Sequence, residues 1–331
     1  MTKQTKPAKP FYSQFIGQKG VKKRLSRYIK GSNCGVPMPP MLFLGARGHG
    51  KTEIAEATFP LIMRKDGKSK RSNCVVNCSQ FKNADQFFQE AIAPTQGMEI
   101  TFLFDECHML PSDVQSALLT AFNPNGRTIK EIAWKGEVYT IDLSEQTFIF
   151  ATTEPNKMLG TLKERLENIT FARYSAEEIG QIILIKKLDV KIKPDVLEEI
   201  AKTCRKSPRL AAKLVVEINR YAATESVKTF DQKTWEEYMF ELDVKLYGID
   251  NNELEVLKVL ADRGSCQLGE LASALNMTSS AVKGGIEPYL LNMRFIEIDG
   301  TRHITQAGRK ALAEILARME KGVKDFGAVA V

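Results

Sequence analysis

Apolar and polar positions follow two rhythms along this chain. In the first half, short apolar runs stand apart from one another: "MLFL" at 41 to 44, "ITFLF" at 100 to 104 and "TFIFA" at 147 to 151. Runs this short, bounded by glycine or acidic residues, read as strands buried on both faces. Strands alternating with helical segments to about residue 172 predict an α/β domain with a parallel sheet over residues 1–172. From "YSAEEIGQIILIKKL" the rhythm turns helical. Ser175 and Glu178 form a capping box, while Ile179, Ile182 and Ile183 line one face, so residues 173–247 read as a small helical domain. A third unit, 248–331, opens after "YGIDNNE" with three short helices, "NELEVLKVLADRG", "LGELASALN" and "SSAVKGGIEPYLL". "RFIEI" and "TRHIT" then flank Asp299-Gly300, a two-residue hairpin turn. Three helices followed by a β-wing predict a winged helix. Between the second and third strands, "TIKEIAWKGEVYTIDLS" reads as a β-hairpin turning near Lys135-Gly136, with Ile132 and Trp134 close to its tip.

The first strand runs straight into "GARGHGKTE", residues 45 to 53. Gly45, Gly50, Lys51 and Thr52 fit G-x-x-x-x-G-K-[ST], a loop whose backbone N–H groups wrap nucleotide phosphates. Gly45, Ala46, Arg47, Gly48, His49, Gly50, Lys51, Thr52 and Glu53 are therefore candidate nucleotide contacts. Lys51 would reach the β/γ-phosphates, Thr52 would ligate Mg²⁺, and the helix opening there adds its positive dipole end. The strand at 100 to 104 ends in Asp105 and Glu106. Beside a phosphate loop, one carboxylate can hold Mg²⁺ and its neighbour can polarise the attacking water, roles given to Asp105 and Glu106 respectively. Thr152 and Thr153 end the third strand, with hydroxyls placed to bond water or the γ-phosphate. Arg165 in "LKERL" has no role in its own site and can serve a neighbouring subunit's. Ser207 caps a helix with Pro208 at its first position, and Arg209 in that first turn calls for an anion to offset the dipole. Cys107 and His108 lack a third metal-ligand candidate, so a local packing or relay role fits them.

Composition and charge narrow the picture further. The chain has 331 residues, 26% charged and 43% hydrophobic, which suits a soluble globular protein of two or three domains. No apolar run approaches membrane-spanning length and "MTKQTKPAKP" lacks the apolar stretch of a signal peptide, so a cytoplasmic, membrane-free location is expected. The six cysteines follow no framework spacing, which predicts reduced thiols and no zinc. Residues 1 to 52 hold eleven Lys/Arg and no Asp or Glu, and "RKDGKSKR" at 64 to 71 adds a second basic run. Such blocks suit a phosphate-rich partner. Residues 248–331, by contrast, carry ten basic and eleven acidic side chains, so DNA contact there rests on placement. Lys283 on the expected recognition helix and Arg302 and His303 on the wing are the candidates.

Together these segments resemble the AAA+ ATPases and, within them, the RuvB family, which drives branch migration of Holliday junctions. The resemblance runs from "FIGQKGVKKRLSRYI" through "FLFDECH", "FIFATTEPN", "LKERL" and "KSPRLAAKLV" to "IEPYLLNMRFIEIDGTRHIT". It implies an AAA+ core, a lid and a winged helix, with ATP and Mg²⁺ as cofactors and assembly as a hexameric ring around DNA. It implies that Phe15, Ile16 and Gly17 lie by the adenine. Thr153 (or Thr152) would be the first sensor, Arg165 the trans-acting finger and Arg209 the second sensor. Arg47 and His49 replace the family's usual proline and leucine, and Cys107 replaces an aliphatic residue. The hairpin at 128 to 144 is shorter than the one that docks the RuvA adaptor in this family. That predicts DNA recruitment by the basic N-terminal region and the wing without a RuvA-like adaptor. "ATTEPNK" also resembles the bacterial clamp loader, which keeps a loader switch open as an alternative to a motor on duplex or branched DNA. An origin-recognition-type DNA binder is the third reading.

Overall fold

The structure, a computed structural model, describes residues 12–67, 69–123, 129–134, 137–186 and 188–327. The expected hairpin tip at Lys135-Gly136, the side chain of Trp134 and the basic segment 1–10 lie outside the described residues. The chain divides into two compact units, residues 1–174 with 207–209, and residues 175–206 with 210–331.

The first unit runs α1 (Lys19–Asn33), β1 (Met41–Leu44), α2 (Lys51–Thr58), β2 (Ser72–Asn77), α3 (Ala84–Phe87), β3 (Ile100–Asp105) and α4 (Ser112–Ala121). It continues through β4 (Ile129–Trp134), β5 (Glu137–Asp142), β6 (Gln146–Thr152), α5 (Gly160–Arg165) and β7 (Glu167–Thr170). Five strands form a parallel sheet in the order β2-β3-β6-β1-β7. The three apolar runs are its central strands, and apolar side chains cover both their faces. Leu42, Phe102, Phe104, Phe148 and Phe150 face Phe87, Val114 and Leu118. Met41, Phe43, Leu103 and Ile149 alternate with them and face Leu25, Ile29 and Ile54. Phe102 stacks on Phe148 and Phe104 on Phe150, with ring centroids 5.7 and 5.2 Å apart. Each fully buried side chain of this size contributes about 1.5–3 kcal/mol relative to exposure. The edge strands β2 and β7 are half polar and lack an apolar run. Between the sheet strands, β4 and β5 pair as the expected antiparallel hairpin, with Trp134 opposite Glu137.

The second unit begins with α6 (Ala176–Ile185), β8 (Lys191–Ile192), α7 (Pro194–Thr203), α8 (Pro208–Thr224), β9 (Thr229–Phe230) and α9 (Gln232–Glu241). The Ser175–Glu178 capping box forms in both directions. Next come α10 (Asn251–Arg263), β10 (Ser265–Cys266), α11 (Leu268–Ala274), α12 (Ser279–Ala281), α13 (Glu287–Asn292), β11 (Ile296–Asp299), β12 (Thr301–Ile304) and α14 (Gln306–Phe326). Segments 173–247 and 248–331, expected as separate domains, pack together here. The Arg205 guanidinium bonds Glu253, which is 1% exposed, and lies 3.4 Å from the centre of the Tyr289 ring. Gly248 has φ +67°, and a Cβ there would stand 2.2 Å from the Thr203 carbonyl oxygen, so only glycine lets the two segments approach. Farther along, Arg318 bridges Glu199 and Glu236 at 3.3 and 2.7 Å.

The wing forms with two differences from expectation. Asp299 pairs with Thr301, which leaves Gly300 alone at the tip with φ +67°. Arg302 is not a surface cation: it is 8% exposed, and its Nε donates to Glu287 Oε1 at 2.8 Å. The cause is the period of two along β12. Arg302 shares a face with buried Ile304 and lies opposite Cys266 on β10, so the same alternation that buries Ile304 buries Arg302. Arg302→Ala should therefore leave Glu287 charged and unpartnered, costing about 3–5 kcal/mol. A fall in urea midpoint would measure this, and Arg302→Met with Glu287→Leu should recover most of the loss.

Candidate active site

The parallel register brings the ends of β1, β3 and β6 to one edge of the sheet, the usual place for ligands in such folds. The loop after β1 turns through Gly48 and Gly50, whose φ values are +77° and +81°. A Cβ at Gly45 would stand 2.9 Å from the Phe171 Cβ, and one at Gly48 would stand 2.7 Å from the Ser207 hydroxyl. Glycine at these two positions therefore lets the loop pack closely against Phe171 and Ser207. The Lys51 side chain folds back over the loop, donating to the carbonyls of Gly45 at 2.8 Å and Ala46 at 3.1 Å. Burial lowers its pKa, while the charges of Glu106, Asp105 and Glu53 act in the opposite sense. An ammonium so desolvated gains strongly from an incoming polyphosphate.

At the neighbouring strand tips, Thr52 donates to Asp105 Oδ2 at 2.9 Å, joining the two candidate Mg²⁺ ligands. Glu106 follows in a left-handed conformation, φ 50°, and Thr153 donates to its Oε2 at 3.2 Å. Arg47, Gly48, Gly50, Lys51, Thr52 and Glu53 line one cavity of about 380 Å³ with Asp105, Glu106, Thr153 and Arg209. The cavity joins a phosphate cradle, an oxygen pair suited to Mg²⁺, a carboxylate able to accept a proton, and three cations, Arg47, Lys51 and Arg209. Such a set fits a nucleoside triphosphate and its metal.

Thr153, rather than the fully buried Thr152, reaches this cavity. Phe15, Ile16 and Gly17 are half-buried and do not line this cavity; they lie on a segment fixed by Gln18. The Gln18 amide bonds both backbone groups of Ala172, at 2.7 and 2.9 Å. Arg165 stays outside the cavity and donates to the Leu119 carbonyl on α4. His49 is 7% exposed, turned edge-on to Tyr174, and its Nδ1 has no hydrogen-bond partner. Lys283 is exposed and His303 half-exposed in the second unit. Gln18 and Tyr174 were missed, because a lone glutamine and tyrosine carry no motif; only their closeness to quoted segments hints at them.

Residues 246–313 match the family model described as the RuvB C-terminal winged helix domain. The chain is 27% identical over 317 residues to the Holliday junction branch migration complex subunit RuvB of Sulfurimonas denitrificans, covering 91% of this chain and 87% of that relative. It is 28% identical over 304 residues to the same subunit of Rickettsia africae, covering 88% and 85%. The chain is similar to RuvB over most of its length. Among solved structures, Thermotoga maritima RuvB, titled a Holliday junction branch migration motor, matches with a TM-score of 0.72. That match covers 92% of this chain and 97% of the other at 23% identity, a likeness of fold. The RuvB-like fold thus extends through both units.

Two outcomes follow from this geometry. Lys51→Ala should abolish nucleotide binding, whereas Glu106→Gln should bind ATP and fail to hydrolyse it; fluorescent-nucleotide titration and phosphate release separate the two. Wild-type turnover by Glu106→Gln would refute the base assignment. The second concerns acid. Burial lowers the His49 pKa, and the Lys51 and Arg173 charges push the same way. The folded protein then holds this ring neutral while the unfolded chain protonates it below about pH 6.5. The unfolded state binds more protons there, so stability falls as pH drops through that value. His49→Leu should lessen the loss of thermal midpoint between pH 7 and 5.5. An unchanged pH dependence would contradict a buried neutral imidazole.

Proposed function

We propose that this protein is an ATP-hydrolysing, ring-forming DNA motor of the RuvB type, acting on duplex or branched DNA in the cytoplasm. The observation that carries the reading is the single cavity shared by the phosphate loop, Asp105, Glu106, Thr153 and Arg209, in a chain similar to RuvB over nine-tenths of its length. In this reading residues 1–172 bind and hydrolyse ATP, 173–247 act as the lid and 248–331 hold DNA.

The steps follow from the side chains present. Backbone N–H groups of the loop and the Lys51 ammonium hold the β- and γ-phosphates. When bound by Thr52 and Asp105, Mg²⁺ would neutralise charge on the phosphate oxygens. Glu106 accepts a proton from the attacking water, and Thr153 orients that carboxylate. Arg209 balances the γ-phosphate from the start of α8. Arg165, at the end of α5 and outside its own cavity, completes the site of a neighbouring subunit on leaving the Leu119 carbonyl. With Arg302 in the core, DNA contact passes to Lys283 and His303 with the basic N-terminal region, and no RuvA-like adaptor is required.

The test is ATP turnover with and without a four-way junction, together with junction branch migration. Arg165→Ala should retain ATP binding and lose about 10³-fold in hydrolysis, the scale of an arginine finger. Mixing it with Lys51→Ala should restore part of the activity, because each completes a site the other lacks. No recovery in demonstrated mixed assemblies counts against the trans role. Turnover stimulated by a replication clamp and not by DNA would favour the loader.

A further inference from the structure

His108 is one of three histidines in the chain, and its side chain is 6% exposed between two carboxylates. Its Nδ1 stands 3.0 Å from the Thr152 hydroxyl and 3.4 Å from Glu106 Oε2. Its Nε2 stands 3.3 Å from Glu154 Oε1. Carboxylates face both nitrogens, but only Nδ1 also has a hydroxyl able to donate to it, so the neutral ring carries its proton on Nε2, toward Glu154, and Nδ1 is an acceptor. The Thr152 oxygen already accepts the Glu154 backbone N–H at 3.0 Å, which leaves its own proton free to bond Nδ1. Both ring nitrogens then have a hydrogen-bonding partner.

Glu106 sits at the inner end of that chain. Thr153 draws its Oε2 from one side at 3.2 Å, and the Nδ1 lone pair limits its approach from the other. The carboxylate is otherwise poorly restrained, being 37% exposed on a long side chain. At the outer end, Glu154 is 49% exposed and its second oxygen accepts from Lys157 Nζ at 2.8 Å. A proton-accepting group displaced by about 1 Å can lose as much as 10²-fold in rate. A rigid ring wedged behind Glu106 guards against that displacement.

We propose that His108 is a positioning residue for ATP hydrolysis: its ring, held by Thr152 and by the Glu154–Lys157 pair, backs the Glu106 carboxylate and keeps it against Thr153. The proposal rests on the ATPase reading given above. It assigns a task to a buried side chain that touches both the Glu106 carboxylate and Glu154 in the loop beyond β6.

The test is steady-state kinetics on the full chain with Mg²⁺-ATP. His108→Ala should lower kcat about 10- to 100-fold while KM for ATP and nucleotide affinity stay within about two-fold. His108→Asn places an amide where Nδ1 stands and should restore most of the rate; His108→Gln places it where Nε2 stands and should not. Glu154→Ala, on an exposed side chain, should lower kcat in the same direction. The double variant should be no slower than His108→Ala alone, because both act through one set of contacts. Wild-type kcat in His108→Ala, equal rescue by Asn and Gln, or additive losses would each overturn the proposal. So would a parallel loss of nucleotide affinity, which marks a purely structural histidine. A wild-type protein that turns over no ATP overturns the ATPase reading and this proposal together. Normal turnover with an unaffected His108→Ala overturns this one alone.

Discussion

Because β3, β6 and β1 pair in parallel, with Phe104 opposite Phe150 and Leu44 opposite Thr152, the chain leaves all three strands at the same edge of the sheet. Lys51 follows one strand, Glu106 a second and Thr153 the third. None of these residues is near another in sequence. The stacked phenylalanines of β3 and β6 hold the register, since a shift by one residue would turn those rings to the opposite face. The candidate catalytic groups are thus placed by a hydrophobic core that contains none of them.

The second unit is organised differently, around charges that have left water. Arg205 with Glu253 and Arg302 with Glu287 are ion pairs whose acidic partners are almost wholly buried. Desolvation consumes much of what such pairs gain, yet removing one member leaves the other stranded. Their contribution is therefore to geometry more than to net stability. Glu253 also caps its own helix, and burial raises its pKa against the lowering effects of the Asp250 backbone and Arg205. One carboxylate so fixes a helix start and a contact between two segments distant in sequence.

How much of this was legible depended on whether a motif or a contact carried the information. The phosphate loop, the Asp105-Glu106 strand end, the Ser175 capping box and the winged-helix order could be read, because each is local and recurs at fixed spacing. Strands β2 and β7 could not, since half-polar edge strands lack an apolar run. Arg302 was misread as exposed although the alternation leading to Ile304 already pointed it inward; charge was weighed above period. The contacts of Arg205 with Glu253 and Tyr289, and of Gln18 with Ala172, join residues tens to more than a hundred positions apart. No local pattern announces them.

Those half-polar edges have their own significance for a chain proposed to gather copies of itself. An unpaired strand offers a row of free backbone groups to any similar strand, and self-recognition raises the odds of that encounter. On β2, the exposed side chains Ser72, Asn73 and Asn77 follow the basic pair Lys70 and Arg71. Polar and cationic residues of this kind make sheet-to-sheet extension unfavourable. The same residues that hid the strand from a hydrophobic reading thus discourage the route by which crowded copies would fuse into fibres.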